Sequence, residues 1–417
     1  MTARPARGYT LVELLVALLV ASIVMVGALT LLTSQQRSFQ SGSGDRALQE
    51  AGRVALERLT SDLRLAGYGM DPGMAFDFGA AASPMDRAIL QPGVSTVPFG
   101  GFQCANPVTC RDHVDQPDEL VFNSRDPNFG KLVVTAPNPP SASQLVLQGP
   151  LNTPLLAGQI LQVVCYSGNL YWAYVTVGKQ VDATTSATVT VPLLAATGGG
   201  SDFGAQNSFL TSDGCFAGEV RAFKIDRHRY FIETYAPDGA LVPWGTAGAR
   251  PYLMLDQGLR DATGAAIHSV VAQDVEDLQV AYVFPLAPAG TQVRGATLGT
   301  QLQNVALGVD LAPATIPAIP LYSTASRDVA RTTGHPSNVR AVRVAVVVRQ
   351  PQGDLTISEP DLPAIFNRDV IAREANRRRA VFQTAVSIPN LESRGPVFPT
   401  YGQAGVASDK PLNHGGG

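Results

Sequence analysis

The chain has 417 residues, of which 16% are charged and 45% hydrophobic, with 40 glycines, 30 prolines and a formal net charge of −3. An ordinary soluble domain carries about 25% charged residues, so this composition supports a sizeable core and excludes a disordered chain. The near-neutral balance also excludes a strongly electropositive nucleic-acid binder, and the glycine and proline content points to many turns rather than a helical bundle.

The N-terminus opens with MTARPARG, a polar leader holding Arg4 and Arg7 and no acid. After YTLVE at 9–13 comes Leu14–Leu32, nineteen residues with nothing more polar than Ser22 and Thr30. As a helix this run spans roughly 28 Å, close to the hydrocarbon thickness of a bilayer. Arginines before the run and none within it predict a cytoplasmic N-terminus, with the rest of the chain on the far side of the inner membrane. A cleaved secretory signal has a shorter apolar region and a small-x-small cleavage site, and LLTSQQ offers none. A plain anchor leaves Glu13 unexplained, because a carboxylate at the mouth of a membrane helix is costly unless paired or functional.

From Gln35 the helix is expected to continue, with a weak point at SGSGD (41–45), where glycine lowers helix propensity. Leu48, Ala51, Ala55, Leu59, Leu63 and Ala66 then recur at helical spacing, with Arg46, Glu50, Arg53, Glu57 and Arg64 between them. Gly67 is placed as the C-terminal cap. This is an amphipathic helix laid against the rest of the same protein.

Beyond Gly67 short β-branched and aromatic runs alternate with Pro/Gly/Asn/Asp breaks. Strands are predicted at 119–123, 131–135, 144–148, 159–166, 170–177, 187–193, 219–225, 229–235, 251–255, 276–284, 340–349 and 380–388. Residues 219–225 and 229–235, with DRH between, are read as a hairpin. Residues 68–118 and 285–339 are loop-rich, and 395–417 read as a flexible tail. The fold class is α+β: a long N-terminal helix, membrane-spanning in its first half and amphipathic in its second, packed on a large antiparallel β-rich head. The divisions are 1–8, 9–36, 37–67, 68–394 and 395–417.

Residues 7–13, RGYTLVE, with the apolar run behind them resemble the class III signal of type IV prepilins and type II secretion pseudopilins. The resemblance implies cutting by a prepilin peptidase between Gly8 and Tyr9, then N-methylation of Tyr9, which stands where the family usually has Phe. It also implies a role for Glu13. In an assembled fibre an unpaired carboxylate among apolar helices is heavily penalised, so Glu13 pairs with the N-terminal amine of a neighbouring subunit. A negative side chain in the first turn suits the helix dipole as well. Segments 52–69, 274–284, 339–350 and 377–390 resemble the PilW family of type IV pilus assembly proteins.

That family implies a minor pilin that primes assembly and sits at or near the fibre tip. Its partners would be the peptidase, other minor pilins, the major pilin, the inner-membrane assembly platform and a large tip adhesin. Inner-membrane lipid would surround the helix before assembly, with the head periplasmic and later at the cell surface. The alternatives are a minor pseudopilin of a type II secretion system, GspJ-like, and a tip adhesin or DNA receptor.

Four cysteines, Cys104, Cys110, Cys165 and Cys215, in a region expected to be periplasmic suggest disulfides, against an alternative of free thiols. No C-x-x-C pair supports zinc. DHVDQPDE (112–119) lacks the glycine and terminal glutamate of a calcium loop and reads as a solvated turn. Arg373, Arg377, Arg378 and Arg379 read as polar positions at the entry to a strand rather than as a phosphate site. His113, His228, His268, His335 and His414 form no partner pattern. No nucleophile elbow, zinc-protease, phosphate-loop or dinucleotide motif is present. The expectation is therefore no enzyme, no cofactor, no metal and no small-molecule substrate.

Overall fold

The computed structural model describes residues 10–70, 75–76, 116–135, 143–167, 169–182, 185–194, 219–285, 302–305, 339–351, 353, 365–366 and 376–392. One helix, α1 (Leu11–Leu63), runs 53 residues without interruption. The expected weak point at 41–45 is therefore continuous helix, and the reason lies across from it. A side-chain carbon on Gly44 would strike the Gln350 side chain, and one on Gly52 would strike the Phe382 ring. These glycines weaken the isolated helix but let the head approach its backbone closely. The helix ends at Leu63, with Arg64 as its cap. Gly67 belongs to the turn beyond, with φ +73 and its N–H donating to the Asn123 carbonyl at 2.9 Å.

Every strand pairing among the described residues of the head is antiparallel. Its strands are β1 (Leu120–Arg125), β2 (Leu132–Val133), β3 (Gln144–Gln148), β4 (Ile160–Ser167), β5 (Asn169–Thr176), β6 (Thr188–Pro192) and β7 (Glu219–Tyr235). There follow β8 (Leu241–Val242), β9 (Arg250–Arg260), β10 (Ala266–Gln273), β11 (Val275–Pro285), β12 (Leu302–Val305), β13 (Ala341–Arg349) and β14 (Arg379–Ser387), then the single turn α2 (Pro389–Glu392).

The hairpin expected over 219–235 is instead one 17-residue strand. DRH has neither glycine nor asparagine to take the positive φ that a tight hairpin turn needs. All three residues pair with β1 in register Ser124↔Asp226, Asn123↔Arg227 and Phe122↔His228. Strand β7 thereby becomes the spine of an eight-stranded sheet ordered β10-β9-β7-β4-β5, with β1, β2 and β8 also pairing to it. A four-stranded sheet runs β12-β11-β13-β14, and β3 pairs with β6 alone.

Among the described residues two large apolar cores result. The first joins Leu48, Ala55, Leu59 and Leu63 of α1 to Val342, Val344, Val346 and Val348 of β13 and to Tyr230, Leu253 and Leu278 of the sheets. The second lies between the β3–β6 ribbon and the β4–β5 end of the larger sheet, with Leu145, Leu147, Val189 and Val191 facing Leu161, Val163 and Val175. Strand β13 is buried on both faces, since Ala345 and Val347 pack on Ile365 behind it. A run of five apolar residues, 344–348, is what a central strand covered twice requires.

The second half of α1 is held at three levels. Near its start Arg378 Nη1 lies 3.2 Å from Asp45 Oδ1. At its end the Asn390 amide donates to the Arg64 and Ala66 carbonyls at 3.1 and 3.2 Å. Between them Asp62 accepts from Tyr230 Oη at 2.5 Å and pairs with Arg58 at 2.9 Å. Burial, then the neighbouring Asp62 charge, raises the Tyr230 phenol above its usual range, so it stays a donor. His228 lies 3.8 Å from the same carboxylate and stacks on Phe122 at 4.9 Å. Burial holds its pKa below the ordinary value.

Candidate functional site

Among the described residues, the first half of α1 is exposed along its whole length. Residues Leu11–Gln36 form the one described helix long and apolar enough to cross a membrane, and none of it is buried. Leu11, Ile23, Val24 and Met25 are each more than 60% exposed. A helix apolar on all sides is stable only where membrane or other helices surround it. Its few polar groups are satisfied internally, as such surroundings demand. Ser22 Oγ donates to the Leu19 carbonyl at 2.8 Å, Thr30 Oγ1 to that of Gly27 at 2.8 Å, and Thr33 Oγ1 to those of Leu29 and Thr30 at 3.0 and 2.9 Å.

Glu13 sits in the first turn, and Thr10 fixes it there. The Glu13 carboxylate accepts from the Thr10 N–H at 2.9 Å and from Thr10 Oγ1 at 3.0 Å, while Thr10 Oγ1 accepts from the Glu13 N–H at 3.3 Å. This reciprocal capping box satisfies donors that a helix start leaves unpaired. It also turns the carboxylate back toward the chain's N-terminus. A carboxylate has about four acceptor positions and Thr10 takes two, so a further donor can be accommodated. The signal was in the sequence, since Thr-x-x-Glu before an apolar run is the pattern of such a box.

Gly8 and Tyr9 lie outside the described residues. So do Cys104, Cys110 and Cys215, while Cys165 is placed by its backbone alone on β4, opposite Tyr171 and Val220. The arginine run near 377 is occupied in holding the fold together. Arg377 donates to the Gln350 and Pro351 carbonyls, Arg378 pairs with Asp45, and Arg379 forms a buried ion pair with Glu276 at 2.6 Å. Arg373 falls outside the described residues. Of the acidic stretch at 112–119, Asp118 accepts from the Val280 N–H at 2.8 Å and Glu119 pairs with Arg229 at 2.6 Å. Among the described residues no group of three or more His, Cys, Asp or Glu is placed to hold a metal.

Residues 3–29 match the prokaryotic N-terminal methylation motif, and residues 230–390 match the family of type IV pilus-assembly protein W. Comparison with curated proteins gives no match. Among solved structures, a type IV-like pilin from Thermus thermophilus is 15% identical over 57% of this chain and 87% of its own, with a TM-score of 0.16, too low to speak to the fold. The methylation motif with one apolar helix behind it fits a single-pass inner-membrane anchor. The pilin family implies processing by prepilin peptidase and contact with other pilins and the assembly machinery, and it is a structural rather than an enzymatic type. With the methylation motif at one end and the assembly-protein match across the strands that hold its helix, the chain is similar at both ends to type IV pilin-like proteins of the PilW type.

Proposed function

We propose that the chain is a minor pilin that primes type IV pilus assembly and enters the fibre at or near its tip. The observation that carries this reading is the bare half of α1. It is an exposed apolar rod with a fixed carboxylate at its mouth, continuous with a helix locked to a large head. Prepilin peptidase cuts between Gly8 and Tyr9, leaving 417 − 8 = 409 residues, and Tyr9 becomes the methylated N-terminus. The rod leaves the membrane and packs among neighbouring rods, where Glu13 accepts from the N-terminal amine of an adjacent subunit and sets the axial register. Pairing removes the penalty that a lone carboxylate would carry there.

The head stays periplasmic until assembly carries it to the cell surface. Its bulk suits a cap better than a repeating shaft. The partners are the peptidase, other minor pilins, the major pilin, the inner-membrane assembly platform and a large tip adhesin. Deleting the gene and scoring piliation, protein secretion and DNA uptake separately tests the reading. Piliation is expected to fail and to return with the wild-type gene. Intact piliation with failed secretion would make the chain a type II secretion pseudopilin instead.

A further inference from the structure

His228 is a buried titratable group that plays no part in the assembly step described above. It stands on β7 at the seam between the head and α1. Its ring stacks on Phe122 of β1, with centres 4.9 Å apart and planes at 8°, and its Nε2 lies 3.8 Å from Asp62 Oδ2 on α1. That gap is too long for a hydrogen bond. Its Nδ1 is buried and has no hydrogen-bond partner among the described residues. The charged and titratable groups around the ring are Asp62 and Arg58 of α1 and Asp226 of β7, with Tyr230 of β7 sharing Asp62. Phe122, opposite it on β1, carries no charge.

A neutral imidazole fits these surroundings, since it has one N–H and one bare nitrogen. The imidazolium does not. Its second N–H would be buried without an acceptor, which is costly, and Arg58 adds a like charge. Asp62 offsets this only in part. A carboxylate oxygen has about two acceptor positions, and Oδ2, the oxygen nearest the ring, already accepts from Tyr230 Oη at 2.5 Å and pairs with Arg58 Nε at 2.9 Å. Burial accordingly holds the His228 pKa below its ordinary value, against the pull of Asp62 and Asp226.

The seam can part without undoing a sheet. The backbone hydrogen bonds of α1 run within the helix, whereas β7 is laddered to β1, β4 and β9. The end of α1 is tied to the head by the packing of Leu59 and Leu63 and by the Tyr230–Asp62 bond. Just beyond it Asn390 donates to the Arg64 and Ala66 carbonyls and Gly67 N–H to that of Asn123. Proteins open in such local units below the cost of global unfolding. We propose that His228 is an acid-sensitive catch between the helix and the head: a proton on its ring favours a state in which residues 58–66 have lifted from β1 and β7 while the sheets stay paired. This goes beyond the assembly reading and does not depend on it. The closed state refuses the proton and the opened state takes it at the ordinary pKa near 6.5, so opening grows as pH falls below that value. One pH unit lower the gain reaches about tenfold at most.

Hydrogen exchange of the full chain in neutral-detergent micelles tests this, read by mass spectrometry at about pH 7.5 and 5.5 and divided by the intrinsic rate at each pH. Peptides spanning 58–66 and 120–125 should exchange faster than those of β13, which is buried on both faces. Their protection should fall about three- to tenfold on acidification. In His228→Gln that fall should be absent, and His228→Asn is the second variant. The wild-type comparison decides by itself if neither variant folds. Exchange of 58–66 in step with β13 at both pH values would mean that the ring is released only by global unfolding, and overturns the catch. Protection unchanged or raised at the lower pH overturns it as well, as does a fall of the same size in the variants.

Discussion

The two halves of α1 share one backbone and obey opposite rules. Over 11–36 the helix is apolar on every side and, among the described residues, exposed throughout. From Gly44 to Leu63 it is apolar on one side only, with Leu48, Ala55, Leu59 and Leu63 buried and Arg46, Glu50, Arg53 and Glu57 facing solvent. The difference is one of address: the first half is composed for surroundings that other molecules supply, and the second for the head on the same chain. A change in the first half should therefore spoil association while leaving the head's stability alone, and a change in the second should do the reverse.

The largest effect expected is from Glu13→Ala. Removing one member of a buried pair costs about 3–5 kcal/mol, so incorporation into fibres should fall by about a hundredfold to a thousandfold or more, read by quantitative blotting of sheared pili. The thermal unfolding of the detergent-solubilised chain should not move. A fall in both would break the division between the halves.

In the second half the strongest response should come from Asp62→Ala. It strips the buried Tyr230 hydroxyl and Arg58 of their shared acceptor, and about 3 kcal/mol of head stability should be lost in denaturant unfolding. Gly52→Ala comes next. Its new methyl would meet the Phe382 ring, and overpacking of that kind costs ~1–3 kcal/mol. Gly44→Ala is the sharpening control. Its neighbour is the end of the flexible Gln350 side chain, so it should stay within about 1 kcal/mol of the wild type, helped by better helix propensity.

His228 gives the comparison a pH axis. Its folded pKa lies below the ordinary 6.5, through burial opposed by Asp62 and Asp226 and assisted by Arg58. The unfolded chain then binds a proton that the folded chain refuses, so stability falls as pH drops below about 6.5. His228→Gln should flatten that part of the profile in melts from pH 7.5 to 5.5. Arg378→Ala should have the smallest effect. The Arg378–Asp45 side chains are 35% and 47% exposed, and such pairs contribute about 0–1 kcal/mol.

Much of this division could be read from the residues. Apolar content distinguished the two halves of the helix, and the burial of Leu48, Ala55, Leu59 and Leu63 follows the spacing directly. Strand β6, predicted within 187–193, alternates in burial as Thr and Val alternate in its sequence. Strand β10 escaped notice because AIHSVVAQ is exposed over its first five residues and buries only Ala272, too little to impose a pattern. The unbroken β7 escaped because polar DRH resembles a turn until Phe122 stacks on His228 from another strand. The glycines of α1 were misjudged for the same reason. Their value depends on Gln350 and Phe382, some 300 residues away, and a local reading sees only the lost propensity. Asp62 and Tyr230, 168 positions apart, likewise leave no local trace.

The central claim is that the bare half of α1 is a processed assembly rod. N-terminal mass spectrometry of the membrane-extracted protein, from cells with and without prepilin peptidase, tests it most directly. The account predicts a peptide beginning at N-methylated Tyr9 that disappears without the peptidase. A chain still beginning at Met1 in both, or cut beyond Leu32, would contradict it.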